Sequence, residues 1–299
     1  MTILAAAVAG PEPDLIARRE GAAGVIRLNR PKTINALTLE MTREIVVVLD
    51  AFEADPEVAL ILLEGAGERG LCAGGDIRGL YESARAGGDL GKIFWREEYI
   101  LNARIAAFPK PYVVFMDGIV MGGGVGLSAH GSHRVATDRT KIGMPEVGVG
   151  FFPDVGGTWL LSRAPGEIGT YFGLTGQTMN GADAVYAGFA DVVVASDKLP
   201  ALREALTHAL GKADARDVRA IIDGFAVIKK IEFASNAVIL RPVSSDPQYK
   251  PIILRRDFQI FGKVIDVIRV KPKAEMEIVP LYTNPPENNE EERMEWQPI

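Results

Sequence analysis

The sequence predicts an α/β fold, and three observations carry that reading. Two apolar runs, Val58–Leu63 and Tyr112–Met116, contain no charged residue, the pattern of strands buried on both faces. Each run leads into a glycine turn, LCAGGDIR at 71–78 and GIVMGGGVG at 118–126, and a helical pattern follows each turn. Further short strands at Val135–Thr137 and Val192–Val194 are separated by helical segments, so strand and helix alternate along the chain.

In order, Asp14–Glu20 and Gly24–Asn29 alternate apolar and polar residues and read as a hairpin. Pro31 breaks the second strand. Thr38 is placed to cap a helix over Leu39–Glu53, with Met41, Ile45, Val48, Leu49 and Phe52 on one stripe. Strand 58–63 feeds the turn at Cys72–Asp76. A charged, aromatic helix spans Lys92–Phe108, and Pro109 and Pro111 end it. Strand 112–116 feeds Gly122, Gly123 and Gly124, which open a small-residue buried helix. Helices are expected at Ser162–Leu174, Gly181–Gly188, Leu199–Leu210 and Ala215–Phe225. After Phe225 the pattern changes to short β-branched strands at Val227–Phe233, Ala237–Leu240, Ile252–Arg256 and Phe258–Arg269. From Lys271 the chain carries four prolines by Pro286 and the acidic run ENNEEER, and is expected to be disordered.

Composition bounds the function. The chain has 299 residues, 47% hydrophobic and 24% charged, ordinary for a soluble globular protein. The net charge of −6 argues against a nucleic-acid partner. No apolar run approaches the roughly 20 residues that span a bilayer, so no membrane partner is expected. The N-terminus MTILAAAVAGPEPD lacks a basic leader and reads as a frayed end rather than a signal peptide. Cys72 is the single cysteine, which fits a reducing, cytoplasmic compartment. Residues 229–273 carry 10 basic and 4 acidic side chains, and 274–299 carry 1 basic and 7 acidic. The sign change near residue 228 marks a boundary. Three segments follow: a first domain over 1–226, a β-rich fragment over 227–270 and an acidic tail over 271–299.

The chemistry concentrates in Gly118–Gly157. Close backbone approach with two N–H donors aimed at one point favours glycine, and Gly123 and Gly75 occupy parallel positions after the two buried strands. The alternative is that these glycines serve only tight turns and packing. Glu146 and Asp154 flank the uncharged VGVGFFP, and carboxyls in apolar surroundings titrate high enough for acid/base work near neutrality. Asp154 can equally serve as a cap for the segment that follows it. Glu97 and Glu98 read as a solvated helix face, and His130, His133 and His208 lack metal-ligand spacing. Cys72 reads as a small buried residue.

The motifs NRPKTINALTLEM, LCAGGDIR, MDGIVMGGGVGLSAHG and MPEVGVGFFPDVGG, in that order over residues 14–226, resemble the crotonase superfamily, the enoyl-CoA hydratases and isomerases. CAGGDIR, WREEY, FPDVGG and FGLTG (172–176) are most similar to its 3-hydroxyisobutyryl-CoA hydrolase branch. The resemblance implies a spiral of ββα units and an oxyanion hole made by the amides of Gly75 and Gly123. Of the hydratases' two glutamates, the first maps to Gly126 and is missing, and the second maps to Glu146. The hydrolase branch adds an aspartate, which maps to Asp154, and a substrate-contacting glutamate, which maps to Glu98. The implied reaction is hydrolysis of a short β-hydroxyacyl-CoA, as in valine breakdown, with Glu146 activating water or attacking the carbonyl. No cofactor is implied, since CoA is part of the substrate.

The family's own C-terminal helices, which cover the acyl-CoA site and support oligomers, are expected to be absent after Ala226, weakening any homo-oligomer. Residues 228–269 instead resemble the end of self-cleaving SOS repressor peptidases, with Lys229 at the position of their lysine. No Ser-Met pair occurs to supply the nucleophile. The competing expectations are an enoyl-CoA hydratase or isomerase, and a catalytically dead fusion of two truncated families.

Overall fold

The computed structural model describes residues 12–208 and 214–228, and the strands at 230–234, 237–241 and 252–255. Strands β1 (Leu15–Glu20) and β2 (Ala23–Leu28) form the expected antiparallel hairpin. Helix α1 (Leu39–Ala54) starts where Thr38 accepts from the Met41 N–H, and it buries Met41, Ile45 and Leu49. Strand β3 (Leu60–Gly65) and the short β4 (Gly70–Cys72) precede α2 (Ile77–Arg85) and α3 (Leu90–Ala106). Next come β5 (Tyr112–Met116), β6 (Ile119–Met121), α4 (Gly123–Ser128), β7 (His133–Thr137) and β8 (Lys141–Gly143). Helices α5 (Gly157–Leu161), α6 (Ile168–Thr175) and α7 (Gly181–Tyr186) lead to β9 (Val192–Val194), α8 (Leu199–His208) and α9 (Ala215–Phe225). Four strands end the described chain: β10 (Ala226–Ile228), β11 (Lys230–Ala234), β12 (Ala237–Arg241) and β13 (Ile252–Arg255).

The main sheet has the order β1-β2-β3-β5-β7-β9-β10, parallel from β2 to β9 with an antiparallel strand pair at each edge. A second, parallel sheet of β4-β6-β8 is stacked along the chain so that each of its strands follows a strand of the first. This is the ββα repeat that the sequence resemblance implies: one long strand, one short strand, one helix. The short strands of this second sheet were not legible in the sequence, because each is three residues long and adjoins or contains a glycine, unlike the all-valine β9. Strands β11, β12 and β13 form a separate antiparallel sheet, in agreement with a β-rich segment after Ala226.

Two corrections concern helices. The single helix expected over Ser162–Leu174 is two, α5 and α6, separated by the Pro165–Gly166 turn, where Gly166 adopts positive φ. Helix α2 was not foreseen: it is short and buries no residue fully, although Ile77, Leu80, Tyr81 and Ala84 do fall on one face. Lys229, the strand expected at 258–269 and the acidic tail 271–299 lie outside the described residues.

Both sides of the main sheet are covered. One core gathers Ile26, Leu28, Ile61, Leu63, Val114 and Met116 with α1, α3 and α4. The other sets Val25, Leu60, Leu62, Val113 and Val135 against Leu202, Leu206, Val218 and Ile222 of α8 and α9. Arg203 of α8 ties this layer to the sheet by pairing with Glu20 at 2.8 Å and Glu64 at 2.9 Å. The rigid sheet fixes the β4 and β6 termini, and the glycine turns that follow them form the site.

Candidate active site

The loop after β4 is pinned to residue 37: the Leu37 N–H donates to the Gly74 carbonyl at 2.8 Å, and the Asp76 N–H donates to the Leu37 carbonyl at 2.9 Å. Gly74 holds φ +106°, a conformation that favours glycine. After β6, Gly122 turns the chain at φ +49° and Gly123 begins α4, so its N–H has no acceptor within the helix. Among the described residues, no backbone carbonyl accepts from the N–H of Gly75 or of Gly123.

The two turns are in contact. A Cβ built on Gly123 would lie 3.4 Å from the Gly75 nitrogen, and one built on Gly74 would lie 3.6 Å from the Gly123 nitrogen. Parallel pairing of β4 with β6 produces this juxtaposition, and the tight-turn reading of the glycines does not account for two free amides side by side.

Carboxyls surround this cradle. The same Cβ on Gly123 would stand 2.4 Å from Glu98 Oε1, and one on Gly122 would stand 2.8 Å from Glu146 Oε1. Glu98 belongs to the face of α3 that packs on α4 and is 2% exposed, so the solvated-face reading is wrong for it, although it holds for Glu97, which pairs with Arg43. Glu146 opens a one-turn helix after Pro145. Glu98 Oε1 and Glu146 Oε2 are buried without a hydrogen-bond partner among the described residues. Buried acceptors left unpaired cost about 1–3 kcal/mol each, which marks them as groups kept for a ligand.

Burial, with the negative charges of Asp154 and Glu146, pushes the Glu98 carboxyl up to about 8. Burial, with Asp154, pushes Glu146 up to about 7. Burial also raises Asp154, against a hydrogen bond from the Tyr99 hydroxyl that favours its anion. The capping reading of Asp154 fails: Gly156 is the N-cap of α5, no side chain caps it, and the Asp154 carboxylate accepts from Tyr99 at 2.7 Å. Tyr99 is a site residue that the sequence reading missed. Its position next to Glu98 was the available signal, but a helix turns about 100° per residue, so neighbours face different ways.

Position 126 is closed. A Cβ there would meet the Asn102 amide at 2.8 Å and Val155 at 2.8 Å, so no carboxylate fits. Asn102 is buried, and neither of its amide atoms has a hydrogen-bond partner among the described residues. Cys72 is fully buried, and burial pushes its thiol up to about 12, which agrees with a packing role. His133 bonds the Ala215 carbonyl and His130 the Val155 carbonyl, both structural. Among the described residues no cluster of His, Cys, Asp and Glu suits a metal ion.

Residues 23–247 match the sequence family described as enoyl-CoA hydratase/isomerase. The match runs through β11 and β12, which the motif reading gives to a peptidase fragment. Among curated proteins, the mitochondrial 3-hydroxyisobutyryl-CoA hydrolase of Rattus norvegicus is 48% identical over 218 residues, covering 73% of this chain and 56% of that protein. Its counterpart in Homo sapiens is 44% identical over 219 residues, with coverage of 73% and 56%. Among solved structures, a carnitinyl-CoA dehydratase from Mycobacterium thermoresistibile superposes with a TM-score of 0.67 at 50% identity, covering 75% of this chain and 63% of that one. An enoyl-CoA hydratase from Rhodobacter sphaeroides 2.4.1 gives 0.64 at 49% identity, covering 65% and 58%. The chain spans little more than half the length of the curated relatives it matches.

Proposed function

The chain belongs to the enoyl-CoA hydratase/isomerase family, and from that membership and the site we propose that it hydrolyses a short β-hydroxyacyl-CoA thioester of the 3-hydroxyisobutyryl-CoA class. The carrying observation is the closed position 126. A water-adding member of the family uses a glutamate there, whereas here Asn102 and Val155 fill the space and Asp154 stands beside Glu146 instead. The curated relatives named hydrolase support the same reading, and the solved relatives carry hydratase and dehydratase names at equal identity.

In this reading the Gly75 and Gly123 N–H groups donate to the thioester carbonyl oxygen and hold the oxyanion as it forms. Loss of one such donor raises a barrier by about 2.7–4 kcal/mol. Glu146, which titrates near neutrality, takes a proton from water as the water oxygen bonds to the acyl carbon. The carbon–sulfur bond then breaks and the proton goes to the CoA thiolate. Asp154 and Glu98 bind the β-hydroxyl and set the charge around Glu146. No resident cofactor takes part. A reducing compartment, the cytoplasm in our reading, suits the single buried thiol, and the curated relatives' names say mitochondrial. The peptidase likeness of residues 228–269 contributes nothing to this function, because no Ser-Met pair exists in the chain.

The test is turnover: CoA release from 3-hydroxyisobutyryl-CoA against hydration of crotonyl-CoA. Thiol release without hydration is the expected result, and Glu146→Gln and Asp154→Asn should each lower it by at least about 100-fold while leaving the circular dichroism spectrum unchanged. Near-full activity in Glu146→Gln sinks the assignment. No turnover of either thioester favours the dead-remnant alternative.

A further inference from the structure

One helix grips the acid loop at two points. Trp95 of α3 stacks on Phe151 with ring centroids 5.3 Å apart and planes 15° from parallel, and Phe151 stacks in turn on Phe152 at 4.6 Å. One helical turn on, Tyr99 donates its hydroxyl to Asp154 Oδ2 at 2.7 Å. Residues four apart lie on the same helix face, so Trp95 and Tyr99 hold Phe151 and Asp154 as a unit. Between them in sequence, Glu98 turns inward to the Gly123 cradle.

We propose that Tyr99 is a positioning residue: its hydroxyl fixes the Asp154 carboxylate in one orientation and keeps it ionised beside Glu98 and Glu146. The need is electrostatic. Three carboxyls lie near one another, Glu98 buried and Glu146 and Asp154 half-buried, and like charges so placed cannot all ionise at neutral pH. A hydrogen-bond donor on Asp154 favours its anion and leaves Glu98, the most buried of the three, as the carboxyl that keeps its proton. Among the described residues Glu98 Oε1 and Glu146 Oε2 have no partner and Glu146 is helped only by its own backbone N–H, whereas Asp154 has the Tyr99 hydroxyl as well as its own backbone N–H. Among the described residues, the titratable groups facing Asp154 are Glu98 and Tyr99 from α3 and Glu146 from its own loop; His130, after α4, bonds the Val155 carbonyl. The role of Asp154 in turnover rests on the hydrolase reading, whereas its ionisation by Tyr99 does not.

Tyr99→Phe keeps the ring and removes the donor. Two measurements test the proposal. In carboxyl ¹³C NMR, with Asp154→Asn identifying the resonance, the Asp154 titration should move to higher pH by about one unit in Tyr99→Phe, a tenfold change in its proton equilibrium. In thioester turnover, kcat should fall by about 10- to 100-fold, more than KM rises, with the acid limb of the pH–rate profile moved upward. The double variant with Asp154→Asn should be no slower than Asp154→Asn alone. An unchanged Asp154 titration overturns the proposal whether or not the chain hydrolyses thioesters. A shifted titration in a chain whose wild type turns over no thioester supports the positioning and overturns the hydrolase reading instead.

Discussion

Glu98 is the residue that most departs from ordinary behaviour. A carboxyl 2% exposed, with two other carboxyls near it, keeps its proton up to about pH 8 in the folded chain. The unfolded chain releases that proton near the ordinary glutamate value of about 4.3. The folded state therefore binds more protons across the window between, and stability falls as pH rises from about 4.5 to about 8. Below that window Glu98 is neutral in both states, and above it the full cost of a buried anion is present. Glu98→Gln removes this equilibrium. Urea unfolding should show the variant equal to the parent near pH 4.5 and more stable by about 2–5 kcal/mol at pH 8.5. Equal stability at both pH values would exclude a buried, protonated Glu98. The sequence alone placed this residue on a solvated face; the family resemblance moved it into the site, and the contact with Gly123 supplies the reason.

At the scale of elements, the packing of α3 on α4 decides the chemistry. Small residues along α4 let α3 approach, and Gly126 is in contact with Asn102 at the point where a side chain would otherwise project. Gly126→Ala should lower stability by about 1–3 kcal/mol through overpacking, read as a lower urea midpoint, and Gly126→Glu by more. Neither variant should gain crotonyl-CoA hydration, since the place for that carboxylate is occupied. A Gly126→Glu chain that hydrates crotonyl-CoA would show the space to be open and would weaken the hydrolase reading. The long elements were legible because they carry a periodic signal. Thr38 with the stripe Met41, Ile45 and Leu49 specified α1, and the uncharged run 112–116 specified β5. The three-residue strands β4, β6 and β8 carry no such signal, yet they bring the two glycine turns together.

Across the whole molecule, the candidate site sits on a family fold in a chain that spans little more than half the length of its curated relatives. Whether the site binds is measurable without turnover. A non-hydrolysable CoA thioether should raise the unfolding midpoint, since a ligand at 100 times its Kd adds about 2.7 kcal/mol to the native state. Gly123→Ala, which drives a methyl group against Glu98 Oε1, should lose that shift. An unmoved midpoint in the parent chain would mean that it does not hold the ligand.

The class of fold, the two glycine turns, the pair Glu146 and Asp154, and the absence of a carboxylate at position 126 can all be read along the chain. Each of these is local, written in a run of apolar residues, a glycine or an isolated charge. That Gly75 and Gly123 meet, that Glu98 and not Glu97 turns inward, that Asn102 and Val155 close position 126, and that Tyr99 holds Asp154 are visible only in the folded chain. These depend on contacts between residues tens of positions apart, set by strand register and helix rotation, and no local pattern in the chain encodes a distance.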